Sequence, residues 1–186
     1  SIQDMLTIID NCIQPYDDLG ETEYLTYLKK YLSNPVYKKV KLSETETLLT
    51  NLYNRRLLSS DEISRALDVY KVFLDSGFEC APEGSSSILA QIESFQRTDM
   101  LSEFFTYFFD NGMNMNELYI YAYNGRTTLL AALMDSTIGT DNFDKSLDED
   151  PKYVKLLLQY GADPNIPGDN RYTGAMMLKE AERYKR

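Results

Sequence analysis

Carboxylates are the most plentiful reactive groups in the chain, and two sets stand close together: Asp17 with Asp18, and Glu44 with Glu46. Neighbouring acids can do general acid–base work when their surroundings separate their pKa values. Acids also gather at helix starts, where the backbone dipole favours them, and that structural role suits both sets. Ser85-Ser86-Ser87 offers hydroxyl nucleophiles without a nucleophile elbow or a neighbouring base. The sequence has no histidine. Histidine general bases, the usual catalytic triads and histidine metal sites are thereby removed. Gly84 and its serines lack the lysine of a phosphate-binding loop. Asp141-Asn142-Phe143-Asp144-Lys145 places a ring and a cation where a calcium loop needs oxygen ligands. Cys12 and Cys80 lie far apart with no metal spacing, so both are expected as small core residues in a reducing compartment. No catalytic residue, metal or cofactor is assigned.

The charge balance narrows the partners. Against 19 lysines and arginines stand 29 acids, a net charge of −10. Such a surface repels phosphate backbones and acidic bilayers, so neither nucleic acid nor membrane is expected as a partner. It would attract a basic protein, or simply keep the chain dissolved. Apolar residues are 43% of the sequence, enough for a packed core in 186 residues. No apolar run reaches the roughly 18 residues a membrane helix needs. The start of the sequence has no signal-peptide pattern. A cytoplasmic location is the expectation.

Helical periodicity organises what remains. Ile2, Met5, Leu6, Ile9 and Ile13 form one stripe, which Pro15 ends. Leu25, Leu28 and Leu32 form the next, with Tyr24 and Tyr31 alongside, and Asn34-Pro35 breaks it. Ser43 with Glu46 predicts a capping box opening a helix through about Leu58, and Ser59 with Glu62 predicts a second. Ile63, Leu67, Tyr70 and Leu74 then run to Gly77, and Leu101, Phe104, Phe105, Phe108 and Phe109 run to Gly112. Val154, Leu157 and Leu158 share a face before Gly161. The three glycines stand where a helix needs a left-handed closing residue.

The helices recur in pairs. Thr47-Leu48-Leu49, Ile88-Leu89-Ala90 and Leu129-Leu130-Ala131 are spaced by 41 residues, and Ala175-Met176-Met177 follows 46 later. Ser76-Gly77-Phe78-Glu79 aligns with Asn111-Gly112-Met113-Asn114 and with Tyr160-Gly161-Ala162-Asp163. The predicted fold is all-α: one α-solenoid domain over residues 1–186, with an N-terminal helical cap over 1–42 and a degenerate helix pair over 43–80.

Tyr153 to Asn165, a leucine-rich helix closing on Gly-Ala-Asp-Pro-Asn, resembles the second helix and turn of an ankyrin repeat. Gly125-Arg126-Thr127-Thr128-Leu129-Leu130-Ala131-Ala132 is similar to the Gly-x-Thr-Pro-Leu-His-x-Ala opening of such a repeat, with Thr128 in place of proline and Leu130 in place of histidine. The resemblance covers about residues 80–186. The 41-residue step exceeds the ankyrin period of about 33 and falls in the range of HEAT-type pairs. What the resemblance implies is a stack that binds another protein through its turns and first helices, without catalysis.

On that reading Tyr119, Tyr121 and Tyr123 sit in a projecting finger, where alternation aims them to one side as contact anchors. Packing between neighbouring fingers or onto the helices is the structural alternative. Arg126 stands beside them, and Asp169, Arg171 and Tyr172 occupy the next equivalent turn. Residues 135–150 carry six acids, including Asp141, Asp144, Asp148, Glu149 and Asp150, against Lys145 alone. They read as an exposed acidic loop, either solvated or meeting a basic partner. Occlusion of a basic enzyme or toxin by an immunity-type inhibitor is one narrower function. Self-association through the fingers is another.

Overall fold

A computed structural model describes residues 1–16, 20–44, 46–80, 88–120, 125–132 and 151–169. The chain is mostly helical with almost no strand. It forms two compact units, Ser1–Gly112 and Met113–Arg186.

In the first unit α1 (Ile2–Ile13) opens at Ser1, whose side chain and Asp4 form a capping box. It buries Met5, Ile9, Cys12 and Ile13. α2 (Gly20–Leu32) buries Tyr24, Leu28 and Leu32 and leads into a short 3-10 helix, Pro35–Lys39. The buried face of α2 therefore runs through Tyr24, at i, i+4 and i+8, while Leu25 is half-buried and Tyr31 is exposed. α3 (Leu48–Tyr53) and α4 (Ser60–Asp75) follow, then α5 (Ile88–Gln96) and α6 (Leu101–Asp110). α1 and α2 pack on each other and on α4, α3 packs on α5, and α6 packs on α4 and α5.

Two expected helix boundaries are corrected. Ser43 and Glu46 do not cap α3. Lys41 pairs with Thr47 in an isolated bridge, and the Glu46 carbonyl accepts from the Leu42 amide at 2.7 Å. That loop keeps the backbone out of the helical region until Thr47, which caps α3 in a box with Thr50. The Glu46 carboxylate instead accepts from the Asn51 and Asn54 amides at 3.0 and 3.2 Å. The helix ends at Tyr53, well before Leu58, because the carbonyls of Tyr53 and Arg55 turn to the Gln91 side chain. At α4 only half of the expected box forms. Ser59 accepts from the Glu62 amide, while the Glu62 carboxylate takes the Leu58 amide and Gln14.

The core of this unit is aromatic. Phe104 stacks on Phe108 with ring centroids 4.2 Å apart, Phe95 lies 4.6 Å from Phe104, and Tyr70 meets both Phe104 and Phe108 edge-on. The stripe of α6 is core throughout, as its spacing predicts. Cys12 is buried, and burial followed by the charge of Glu21 pushes its thiol up to about 12. Cys80 is buried as well, its thiol directed at the Asn111 carbonyl at 3.8 Å.

The second unit opens with β1 (Tyr119–Ile120) and β2 (Arg126–Thr127), paired antiparallel with Tyr119 opposite Thr127. A helix opens at residues 129–132, capped by the Thr128 hydroxyl, which accepts from the Ala131 amide at 3.2 Å. α7 (Pro151–Gln159) closes on Gly161. Its buried face differs from the one expected: Tyr153 and Leu157 are enclosed, Val154 is half-buried, and Leu158 is 42% exposed. One turn of helix separates Tyr153 from Leu157, and the large ring draws the face toward itself.

Gly77, Gly112 and Gly161 all have positive φ, at 81°, 93° and 91°. Gly161 ends its helix with a Schellman pair: the Ala162 amide reaches the Leu157 carbonyl, and the Gly161 amide reaches the Leu158 carbonyl, each at 3.0 Å. No atom lies within 4 Å of a side chain built at Gly161, so backbone conformation alone requires glycine there. Gly161→Ala is expected to lower stability by about 1–2 kcal/mol, read by thermal melting. A D-alanine at the same place prefers positive φ and is expected to be harmless; equal destabilisation by both would contradict this assignment.

Among the described residues no helix is long and apolar enough to cross a membrane. Residues 135–150, with Asp141, Asp144, Asp148, Glu149 and Asp150, lie outside the described residues, as does the segment from Thr173 to Arg186.

Candidate interaction site at the hairpin

The hairpin is built from residues that leave no freedom to its base. Tyr119 begins it and is 3% exposed. Its hydroxyl donates to the Asn114 carbonyl at 2.8 Å. This corrects the expectation of Tyr119 as a surface anchor, since a ring at the root of a two-residue strand is drawn into the core. Thr127, opposite, is buried too. Tyr121 and Tyr123 lie outside the described residues, as do Arg171 and Tyr172.

Arg126 and Asp169 are described, exposed, and joined to each other. The Asp169 carboxylate accepts from the Arg126 amide at 2.9 Å and from its Nε at 3.2 Å, and the Asp169 amide donates to the Arg126 carbonyl at 2.9 Å. The next turn is thus bonded to the hairpin through backbone and side chain together. Gly125, with φ of 78°, is required at this junction, because a Cβ there would stand 3.0 Å from Asp169 Cβ. Both residues, expected as recognition groups, spend their charge on one another.

The Arg126 amide first, then its guanidinium, holds the Asp169 carboxyl below the usual carboxylate range. A folded pKa below the unfolded one means a contribution present above the ordinary value of about 3.9, and lost as pH falls through the lower folded value. Asp169→Ala is expected to speed hydrogen exchange at the Arg126 amide severalfold at neutral pH, read by NMR. In the unmutated chain the same amide should loosen only on strong acidification. Unchanged exchange in the variant would remove the clamp.

A second tie lies beneath the hairpin. Asn116 donates to the Gly161 carbonyl at 3.0 Å and accepts from the Asp163 amide at 2.7 Å. The two turns it joins are alike. The Asn116 amide donates to the Asn114 side chain at 2.9 Å, and the Asn165 amide donates to the Asp163 side chain at 2.8 Å. Met113 and Ala162, each following its glycine, are both buried.

Chemistry elsewhere is sparse. No group of three or more metal-ligating side chains occurs among the described residues. The Glu21 carboxyl is raised, first by burial, then by a hydrogen bond to Asp68 and its charge, with Arg65 opposing. Glu21 lies on α2 and Asp68 on α4, which are packed together.

One surface escaped the sequence reading because the net charge was summed over the whole chain. Residues 24–43 contain Lys29, Lys30, Lys38, Lys39 and Lys41 and no acid. All five lysines are exposed. A charge count in short windows would have found them.

No model of a known protein family matches the sequence, and no curated protein matches it significantly.

Proposed function

We propose that this chain is a non-enzymatic protein-binding module, a stack of helix pairs of ankyrin type whose hairpin finger contacts another protein. The observation that carries the reading is a short hairpin tied to the following turn by the Asp169 clamp, with a helix capped by Thr128 starting at its base. A hairpin base so fastened has little freedom left to lose, which favours binding. Tyrosines suit a contact surface, since they offer large rigid area and a hydroxyl, and Tyr121 and Tyr123 follow β1 directly in the sequence. The acid-rich stretch 135–150 adds a preference for a basic partner.

Affinity capture from the source cell tests this. The unaltered chain should retain a defined protein, and Tyr121→Ala with Tyr123→Ala should lose it while circular dichroism and melting stay the same. Retention of the same partner by the doubly substituted chain would sink the finger as a contact.

A further inference from the structure

The lysine-rich surface of the first unit serves no internal purpose that its contacts reveal. Arg55, Lys71 and Arg126 each hold an acid of their own chain. Among the described residues, none of Lys29, Lys30, Lys38, Lys39 and Lys41 has an ion pair or hydrogen bond through its side chain. In a chain with ten more acids than bases, leaving five cations together and unneutralised is a local choice. The Lys38 ammonium lies 2.9 Å from where a Cβ on Gly77 would stand, at the C-terminal end of α4, where a cation is favoured.

Apolar surface accompanies them. Tyr27 is 45%, Tyr31 40% and Val36 57% exposed. Tyr27 and Tyr31 stand one helical turn apart on α2, and so share a face. Their rings are braced: Tyr27 lies edge-on to buried Tyr24 at 6.5 Å, and Tyr31 edge-on to Tyr37 at 6.3 Å. Braced tyrosines among free cations have the makings of a contact surface, since little side-chain entropy remains to be lost there.

We infer that Tyr27, Tyr31 and Val36, with Lys30, Lys39 and neighbouring lysines, dock an acidic polypeptide segment bearing apolar side chains. Charge complementarity selects the class. Four free lysines match the carboxylates of a short peptide. A phosphate polymer is the poorer fit, because no arginine occurs before Arg55 to fork onto phosphates. The net charge of −10 also opposes a long polyanion more than a short peptide. This face is separate in sequence from the hairpin and asks for the opposite charge, so either reading can fail without the other.

The test uses the full chain and two dye-labelled probes, a short peptide of alternating glutamate and leucine and an oligothymidylate of equal charge, followed by fluorescence anisotropy. Saturable peptide binding that weakens with salt is expected, with weaker binding of the oligothymidylate. Lys30→Glu with Lys39→Glu should weaken the peptide by about tenfold, and Tyr27→Ala with Tyr31→Ala by a similar factor. Lys30→Arg with Lys39→Arg should retain it. Circular dichroism should show each variant folded, as their exposure predicts; should a tyrosine pair unfold the chain, Tyr31→Ser alone replaces it. No saturable peptide binding, equal binding by the lysine-to-glutamate variant, or tighter binding of the oligothymidylate would each overturn the assignment, the last in favour of single-stranded nucleic acid.

Discussion

Replacing Phe108 with alanine is expected to destabilise the first unit by about 4 kcal/mol, the usual cost of deleting a fully enclosed ring and leaving a cavity. Phe108 has no exposed surface. It stacks on Phe104 at 4.2 Å, meets Tyr70 at 5.5 Å and lies 6.2 Å from Tyr53, so it joins α6 to α4 and α3. Surrounding rings are too rigid to collapse into the space it leaves, which places the cost toward the upper part of the range. Domains of this size hold about 5–15 kcal/mol in all, so the variant should stand near the edge of folding. Phe108→Leu retains most of the volume and should cost about 1.5 kcal/mol or less. Urea unfolding followed by circular dichroism measures both. A Phe108→Ala cost below about 1 kcal/mol would show that the ring is not enclosed as described.

Gln91→Leu comes next, at about 3 kcal/mol, because the loss falls on groups that stay behind. Gln91 is 1% exposed. Its amide donates to the carbonyls of Tyr53 at 3.1 Å and Arg55 at 2.6 Å, and its oxygen accepts from the Tyr70 hydroxyl at 2.8 Å. One side chain thus satisfies the frayed end of α3 and a buried phenol on α4. Burial raises the Tyr70 phenol well above its ordinary pKa, so it remains a neutral donor. Leucine fills the volume but takes the Gln91 amide away from the Tyr53 and Arg55 carbonyls and leaves Tyr70 only a marginal 3.5 Å contact with the Leu52 carbonyl. The double variant Gln91→Leu with Tyr70→Phe should cost less than the sum of the single changes, because the second removes the donor the first has stranded. Strict additivity in that cycle would mean the two groups do not interact.

The boundaries of α3 follow from the same contacts. Periodicity made residues 43–58 look like one helix, since Leu48, Leu49 and Leu52 are spaced for it. The bridge of Lys41 to Thr47 at one end and the pull of Gln91 at the other shorten it to Leu48–Tyr53. Both influences come from tertiary contact or a loop, and neither leaves a periodic trace. The closing glycines were legible, because positive φ is a local demand that few other residues meet. The burial of Tyr119 was not legible for the converse reason. Alternation says which side of a strand a ring takes, but it cannot say which side is the core.

What the residues decide unaided is local: helices with an apolar stripe, their left-handed stops, and an aromatic α6 that has nowhere to go but inward. Those follow from short-range geometry and from the cost of leaving apolar area in water. What waited for the folded chain was pairing. Arg126 and Asp169, apart in sequence and each free in principle to meet a partner, neutralise one another at the base of the hairpin. Lys29, Lys30, Lys39 and Lys41 find no acid among the described side chains. Which charges a fold spends internally depends on distances of a few ångströms between distant segments, and composition records only their sum.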